Sequence, residues 1–293
     1  MLINLETIQN LHVALSAAYA KGLVNADISF EDIATIVPSN NKSNTYAWLG
    51  SIPSVRKWVS DRILKELAGH DYSIKNEPFE LTLGVDRDDI EDDSFGIYMP
   101  QAEMMAAEGK AFKSRLVWDL VANGEVGLGY DKVPFFSTLH PDGLGGTQSN
   151  LIAGAGDPWY VMDLSKPIKP FILQVRRDME LTSLTNPEDA NVFWKRQYIW
   201  GIDGRFGAGY GFWQQAVASK KELNEENLAE ARATMRTFSG DSGQLLGMMP
   251  TALVVGASNE VAGMKLVNNL TLATGESNVT KGVYKLIVSP YLP

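Results

Sequence analysis

The chain has 293 residues, 45% of them hydrophobic, a formal net charge of −9 and no cysteine. That length carries one large domain or two smaller ones with a substantial core. The missing thiols exclude disulfides, thiolate nucleophiles, cysteine zinc sites and iron–sulfur clusters, and the acidic balance excludes a general nucleic-acid binder, whose phosphate contacts need clustered lysine and arginine.

A protein that encloses nucleic acid without gripping it stays compatible with that charge. A reducing compartment fits the lack of cysteine. No apolar run reaches the length of a membrane span, and the N-terminus lacks a charged-then-apolar export pattern. Nothing in composition calls for a membrane partner.

In chain order, Leu5, Ile8, Leu11, Leu15 and Tyr19 form a helical stripe that stops at Lys21-Gly22. An apolar run from Ile28 to Val37 ends at Pro38. The polar stretch 39–45 then reads as an exposed loop or arm. A helix is expected over 53–68, carrying Val55, Trp58, Val59 and Ile63. Phe79, Leu81, Leu83 and Val85 alternate with Glu80, Thr82 and Gly84, the period of a half-buried strand.

Next comes a long helix, expected over 100–123, with Pro100 in its first turn and Asn123-Gly124 at its end. Met105, Phe112, Leu116 and Leu120 share one face, with Val117 and Val121 alongside. At 1.5 Å per residue it would be roughly 35 Å long, beyond an ordinary three-turn helix. A charge at Leu116 is expected to disrupt the packed face.

Residues 125–156 are glycine-rich and read as loops. Trp159-Tyr160-Val161-Met162 and Phe171-Ile172-Leu173-Gln174-Val175 read as strands, as do the aromatic runs 193–199 and 209–213. A helix over 225–238 presents Leu228, Ala231, Met235 and Phe238 on one face. Ala252-Leu253-Val254-Val255 is a short buried strand, and Ser258 is placed to cap a helix running to about 269. Residues 283–289 form a last strand. Helical and strand blocks are separated, which indicates an α+β fold and not a regular βαβ alternation.

Several patterns resemble chemistry. Gly240-Asp241-Ser242-Gly243 matches the surroundings of a protease serine, so a serine hydrolase using Ser242 is one reading. The base would have to be His12, His70 or His140, none in a recognisable partner context; a turn explains the motif as well. The acidic run 86–93 fails the EF-type calcium pattern, with Ile90 at the fifth position and Glu91 at the sixth. Carboxylates gathering before a helix account for it. Val255-Gly256-Ala257-Ser258 lies where a phosphate binds in some folds but lacks the glycine and lysine patterns of nucleotide loops. Trp194, Trp200 and Trp213, interleaved with Lys195, Arg196 and Arg205, either stack nucleotides or form strand core under snorkelling cations; the second is preferred. The sequence therefore names no catalytic, cofactor-binding or metal residue and no cofactor. Its many aromatics and long helix suit a subunit that contacts its own copies.

Specific residues carry a resemblance. Val37-Pro38-Ser39, Asn44-Thr45-Tyr46-Ala47-Trp48-Leu49-Gly50 and Arg56-Lys57-Trp58 open it. Tyr72-Ser73-Ile74, the run from Asp86 to Asp93 and Gly96-Ile97-Tyr98 continue it. Tyr130-Asp131, Phe135-Phe136, His140-Pro141, Lys169-Pro170-Phe171-Ile172 with Gln174, Gly209-Tyr210-Gly211 and Trp213-Gln214 extend it over most of the chain. Together they resemble the major head (capsid) protein of Mu-like bacteriophages, the gpT family.

The resemblance implies the HK97-type capsid fold. Residues 1–45 would be an N-terminal arm, 46–78 the E-loop region, and 79–141 a peripheral domain with a spine helix over 100–123. Residues 142–278 would be mainly the axial domain with returning peripheral strands, and 279–293 a C-terminal strand. A helix over 53–68 conflicts with a purely stranded E-loop. The implied function is a major capsid protein, with pentamers and hexamers closing into an icosahedral head around double-stranded DNA that it does not bind specifically. Scaffolding protein, maturation protease and portal are the implied partners. The virion is the implied location, with the host cytoplasm during assembly. Another phage structural protein, of tail or decoration type, is the remaining alternative.

Overall fold

The computed structural model describes residues 5–24, 28–49, 71–92, 95–240, 243–271 and 275–293. The helix expected over 53–68 lies outside them. The helices are α1 (Leu5–Val24), α2 (Arg87–Glu91), α3 (Tyr98–Ala122), α4 (Ala190–Lys195), α5 (Glu225–Arg236) and α6 (Glu260–Asn268). The early strands are β1 (Ala34–Pro38), β2 (Ser43–Thr45), β3 (Ser73–Lys75), β4 (Glu77–Asp86), β5 (His140–Pro141) and β6 (Thr147–Gln148). The later ones are β7 (Leu151–Ile152), β8 (Trp159–Met162), β9 (Phe171–Leu184), β10 (Gln197–Tyr210), β11 (Ala216–Ser219), β12 (Ala252–Val255) and β13 (Lys285–Val288).

Two sheets organise these elements. One has the order β1-β9-β10-β4 and is dominated by the β9–β10 hairpin, each arm 14 residues long. The other has the order β13-β12-β8-β11-β7. Strands β8, β11 and β12 are buried at every position, which is why they read as unbroken apolar runs and not as alternation. β4 keeps the expected alternation only in part: Val85 is buried and Phe79 and Leu83 half-buried, but Leu81 is exposed.

Helix α1 buries Ile8, Leu11, Leu15, Ala18 and Tyr19 against α3 and the long hairpin. It runs past the expected stop at Lys21-Gly22. A Cβ on Gly22 would lie 2.2 Å from the Glu103 carbonyl oxygen, so glycine here permits backbone-to-backbone approach of the two helices. Lys110 Nζ donates to the Leu23 carbonyl at 2.9 Å, satisfying one of the free acceptors at the helix end.

Helix α3 spans 25 residues. Its buried face is Tyr98, Ala102, Met105 and Ala106 toward α1 and the long hairpin, Gly109 against Ile202 and Met179 of that hairpin, then Val117, Trp118 and Val121 in the main core. Phe112, Leu116 and Leu120 are only half-buried, which corrects the expected packed stripe. The acidic run before α3 behaves as a helix start: Asp86 caps α2, its side chain accepting from the Asp88 amide at 2.9 Å.

One further expectation is refined and two change. The stretch 39–45 is largely exposed, as expected of a loop or arm, but it is tied down: β2 pairs with β3, and buried Asn76 donates to Ser39 Oγ and the Asn41 carbonyl, both at 2.8 Å. The run 193–199 is not one strand. Residues 190–195 form α4, ended by Arg196 in the left-handed region at φ 55°, and β10 starts at Gln197. Ser258 does not cap α6; it sits in a 3-10 turn before it and donates to the Pro293 carbonyl at 3.1 Å.

Candidate assembly surface

The sequence motifs that resemble active sites come apart in the fold. Asp241 and Ser242 lie outside the described residues. Their flanks form a tight turn: the Gly240 amide donates to the Gln244 carbonyl at 2.9 Å, and Ser239 bridges Leu245. His140 is fully buried and already engaged. Its Nδ1 lies 2.6 Å from Asp131 Oδ2, and its Nε2 lies 3.2 Å from both the Phe135 carbonyl and Asn150 Oδ1. The ring stacks on Trp213 with centroids 4.0 Å apart. That leaves neither nitrogen for a serine hydroxyl. His12 accepts from Trp200 Nε1 at 3.1 Å on the α1 side, and His70 lies outside the described residues.

The 255–258 turn has no room for a phosphate. A Cβ on Gly256 would lie 1.8 Å from the Pro293 carbonyl oxygen, so the chain's own residues fill the space. Among the described residues no group of three or more His, Asp and Glu side chains is placed to hold a metal ion. No described helix is long and apolar enough to cross a membrane. Of the tryptophan run, Trp200 and Trp213 are core and Trp194 is exposed.

The surface itself is distinctive. Met104, Val126, Leu144, Phe193, Trp194, Leu270 and Val279 are all exposed, and they belong to both sheets' surroundings, to α3 and to α4. An open groove of about 430 Å³ runs between α3 and the long hairpin, floored by Phe79, Leu116, Leu120 and Phe206. Such apolar ground on several sides is what a subunit needs to contact several neighbours at once. At the groove's end, the Tyr72 hydroxyl accepts from the Tyr210 amide at 2.7 Å, and burial pushes its pKa up to about 12. It therefore joins β3 to β10 as a neutral group at neutral pH. Sequence reasoning missed this apolar ground on α4 because the aromatics there were read as core strand.

The whole arrangement is that of solved shell subunits. The chain aligns with the subunit in the procapsid of bacteriophage JBD30 at a TM-score of 0.85 and 35% identity, covering 99% of this chain and 100% of that one. It aligns with the bacteriophage JBD30 capsid at 0.81 and 26% identity, covering 92% and 93%. The fold is the HK97-type fold of phage major capsid proteins. The family model of the Mu-like prophage major head subunit gpT matches residues 8–292. The chain is 37% identical to the major capsid protein of Escherichia phage Mu over the full length of both. It is 34% identical to the Mu-like prophage FluMu major head subunit of Haemophilus influenzae, covering 98% of each. The chain belongs to the Mu-like gpT major head subunit family. Its work is structural, building a phage head, and not enzymatic.

Proposed function

We propose that this subunit forms pentamers and hexamers that close into an icosahedral shell around double-stranded DNA. The observation that supports this most is full-length likeness to a procapsid subunit. In this reading α3 is the spine helix, and β4, β9 and β10 with α3 form the peripheral domain, on which α1 and β1 of the N-terminal arm pack. The five-stranded sheet with α5 and α6 forms the axial domain. Residues 1–45 act as the arm and 46–78 as the E-loop region, the long β9–β10 hairpin being the peripheral strands that return after residue 142. A net charge of −9 suits a container, because a basic lining would hold DNA and resist its movement during packaging. Scaffolding protein, maturation protease and portal are the partners, assembly takes place in the host cytoplasm, and no residue serves catalysis, a cofactor or a metal.

Electron microscopy of the purified chain, alone and with co-expressed head proteins, tests this. Closed shells or capsomers are expected, and Ser242→Ala should form them in wild-type yield. Tubes or small rings would point to a tail or decoration component. Compact monomers that hydrolyse an ester, with turnover lost in Ser242→Ala, would restore the serine reading.

A further inference from the structure

Residues 123–150 join α3 to β7 of the five-stranded sheet, and one buried histidine sits in that joint. The His140 ring meets Asp131 from the 129–133 turn, the Phe135 carbonyl, Asn150 from just before β7, and the face of Trp213 from the turn before β11. Among the described residues Asp131 is the one charged group in contact with it.

These partners fix the ring's hydrogens. The Phe135 carbonyl can only accept. Asn150 Oδ1 also accepts, because Asn150 Nδ2 donates to three carbonyls and the Ser137 amide donates to Oδ1 at 2.8 Å. Nε2 therefore carries a hydrogen. Nδ1 lies 2.6 Å from Asp131 Oδ2, a separation that requires a hydrogen between the two atoms. Imidazole is a stronger base than a carboxylate, so that hydrogen belongs on the ring. Trp213 lies parallel to the ring with centroids 4.0 Å apart, and an indole face attracts a cation. The other carboxylate oxygen accepts from the Val133 amide at 3.2 Å. A doubly protonated ring beside an ionised acid makes a pair without net charge, the form in which ions are tolerated inside a protein.

The turn that carries Asp131 is under tension. Lys132 adopts φ 64°, a left-handed conformation that is costly without glycine. The Gly129 amide closes the turn on the Val133 carbonyl at 2.8 Å. If a base takes the Nδ1 proton, a ring lone pair faces the carboxylate and the buried pair becomes an anion. The turn then loses the contact that ties it to β5. We propose that His140 is a buried imidazolium and that its second proton is a pH-sensitive lock on the joint between α3 and the five-stranded sheet, held while the proton is present and released by base.

The chain has three histidines, so isotope labelling of their ring nitrogens gives three NMR patterns, assigned with His12→Gln and His70→Gln. In the folded subunit at mildly alkaline pH, His140 should show both ring nitrogens protonated. His12, whose Nδ1 accepts from Trp200, should show one bare nitrogen. Raising the pH until His140 loses its second proton should shift the amide signals of residues 127–137 in the same step. Asp131→Asn separates the proton from the fold. Its amide can donate to Nδ1 while its oxygen accepts from the Val133 amide, which satisfies a neutral ring. That variant should fold with one bare nitrogen on His140, and its 127–137 signals should not respond to base. A bare nitrogen on His140 in the folded wild-type subunit would overturn the proposal. So would loss of the proton without movement of those amide signals, or an identical base response in Asp131→Asn. If Asp131→Asn does not fold, the wild-type spectra decide alone.

Discussion

His140 shows how one buried polar side chain holds the glycine-rich segment after α3 in place. Asn150 Nδ2 donates to the carbonyls of Phe135, Trp213 and Ala216, and its Oδ1 accepts from the Ser137 amide at 2.8 Å. That fixes which end of the amide faces His140. The imidazole Nε2 therefore meets only acceptors and donates to them. Asp131, on the other side, has a side chain that is 5% exposed. His140→Ala would leave that carboxylate with the Val133 amide, at 3.2 Å, as its remaining described donor and open a void beside Trp213. The expected loss is about 3 kcal/mol or more, read from urea unfolding of the isolated subunit. His12→Ala removes one acceptor for Trp200 at a half-exposed site and should cost about 1 kcal/mol. Equal losses for the two would contradict the burial contrast on which this ranking depends. Composition-based reading saw 125–156 as loops and found no partner context for the histidines. The network was invisible because His140 and Asn150 act on the carbonyl groups of Phe135, Trp213 and Ala216, up to 66 residues away.

At the scale of elements, α3 separates what sequence can and cannot decide. Its existence and length were legible from spacing, since seven-four-four apolar steps fit only a helix. Its orientation was not. Leu116 and Leu120 form one i, i+4 row, and Val117 and Val121 form the row beside it; both are apolar, so the pattern tolerates either as the buried face. The fold buries Val117 and Val121, at 0% and 1% exposure, and leaves Leu116 in the open groove. Val117→Asp should therefore abolish folding of the subunit, because a carboxylate in that core has no described partner. Leu116→Asp should leave a folded subunit, with Tm lowered by no more than a few degrees for a loss of about 1 kcal/mol. Thermal unfolding followed by circular dichroism distinguishes them, and an unfolded Leu116→Asp subunit would show that the groove is closed in solution. The end of α1 was illegible for a different reason. Gly22 and Leu23 find their partners, Glu103 and Lys110, on a helix about 80 residues later, and no local signal carries that contact. α4 was misread because aromatic residues are concentrated over 193–199, a strand-like composition. Contacts from Asn191 and Arg196 override that preference.

The whole molecule is an acidic body that must approach its own copies, and charge sets the conditions under which it does so. Each chain carries −9, with a sequence isoelectric point near 4.9. The described ion pairs, such as Lys220–Glu125 and Lys221–Glu230, close within one chain and lend little attraction between copies. Exposed apolar groups spread over both sheets' surroundings are where attraction between copies is expected. Between like-charged bodies the repulsion reaches about 30 Å at 0.01 M salt and about 8 Å at 0.15 M. Raising salt across that range should therefore lower the subunit concentration at which shells appear, by several-fold, as followed by light scattering at fixed pH. Lowering pH toward the isoelectric point at fixed low salt should act in the same direction, because both changes weaken the same repulsion while leaving the apolar contacts in place. A threshold that rises with salt would mean that neighbouring copies are held mainly by complementary charges. The apolar ground on α3 and α4 would then be incidental to assembly.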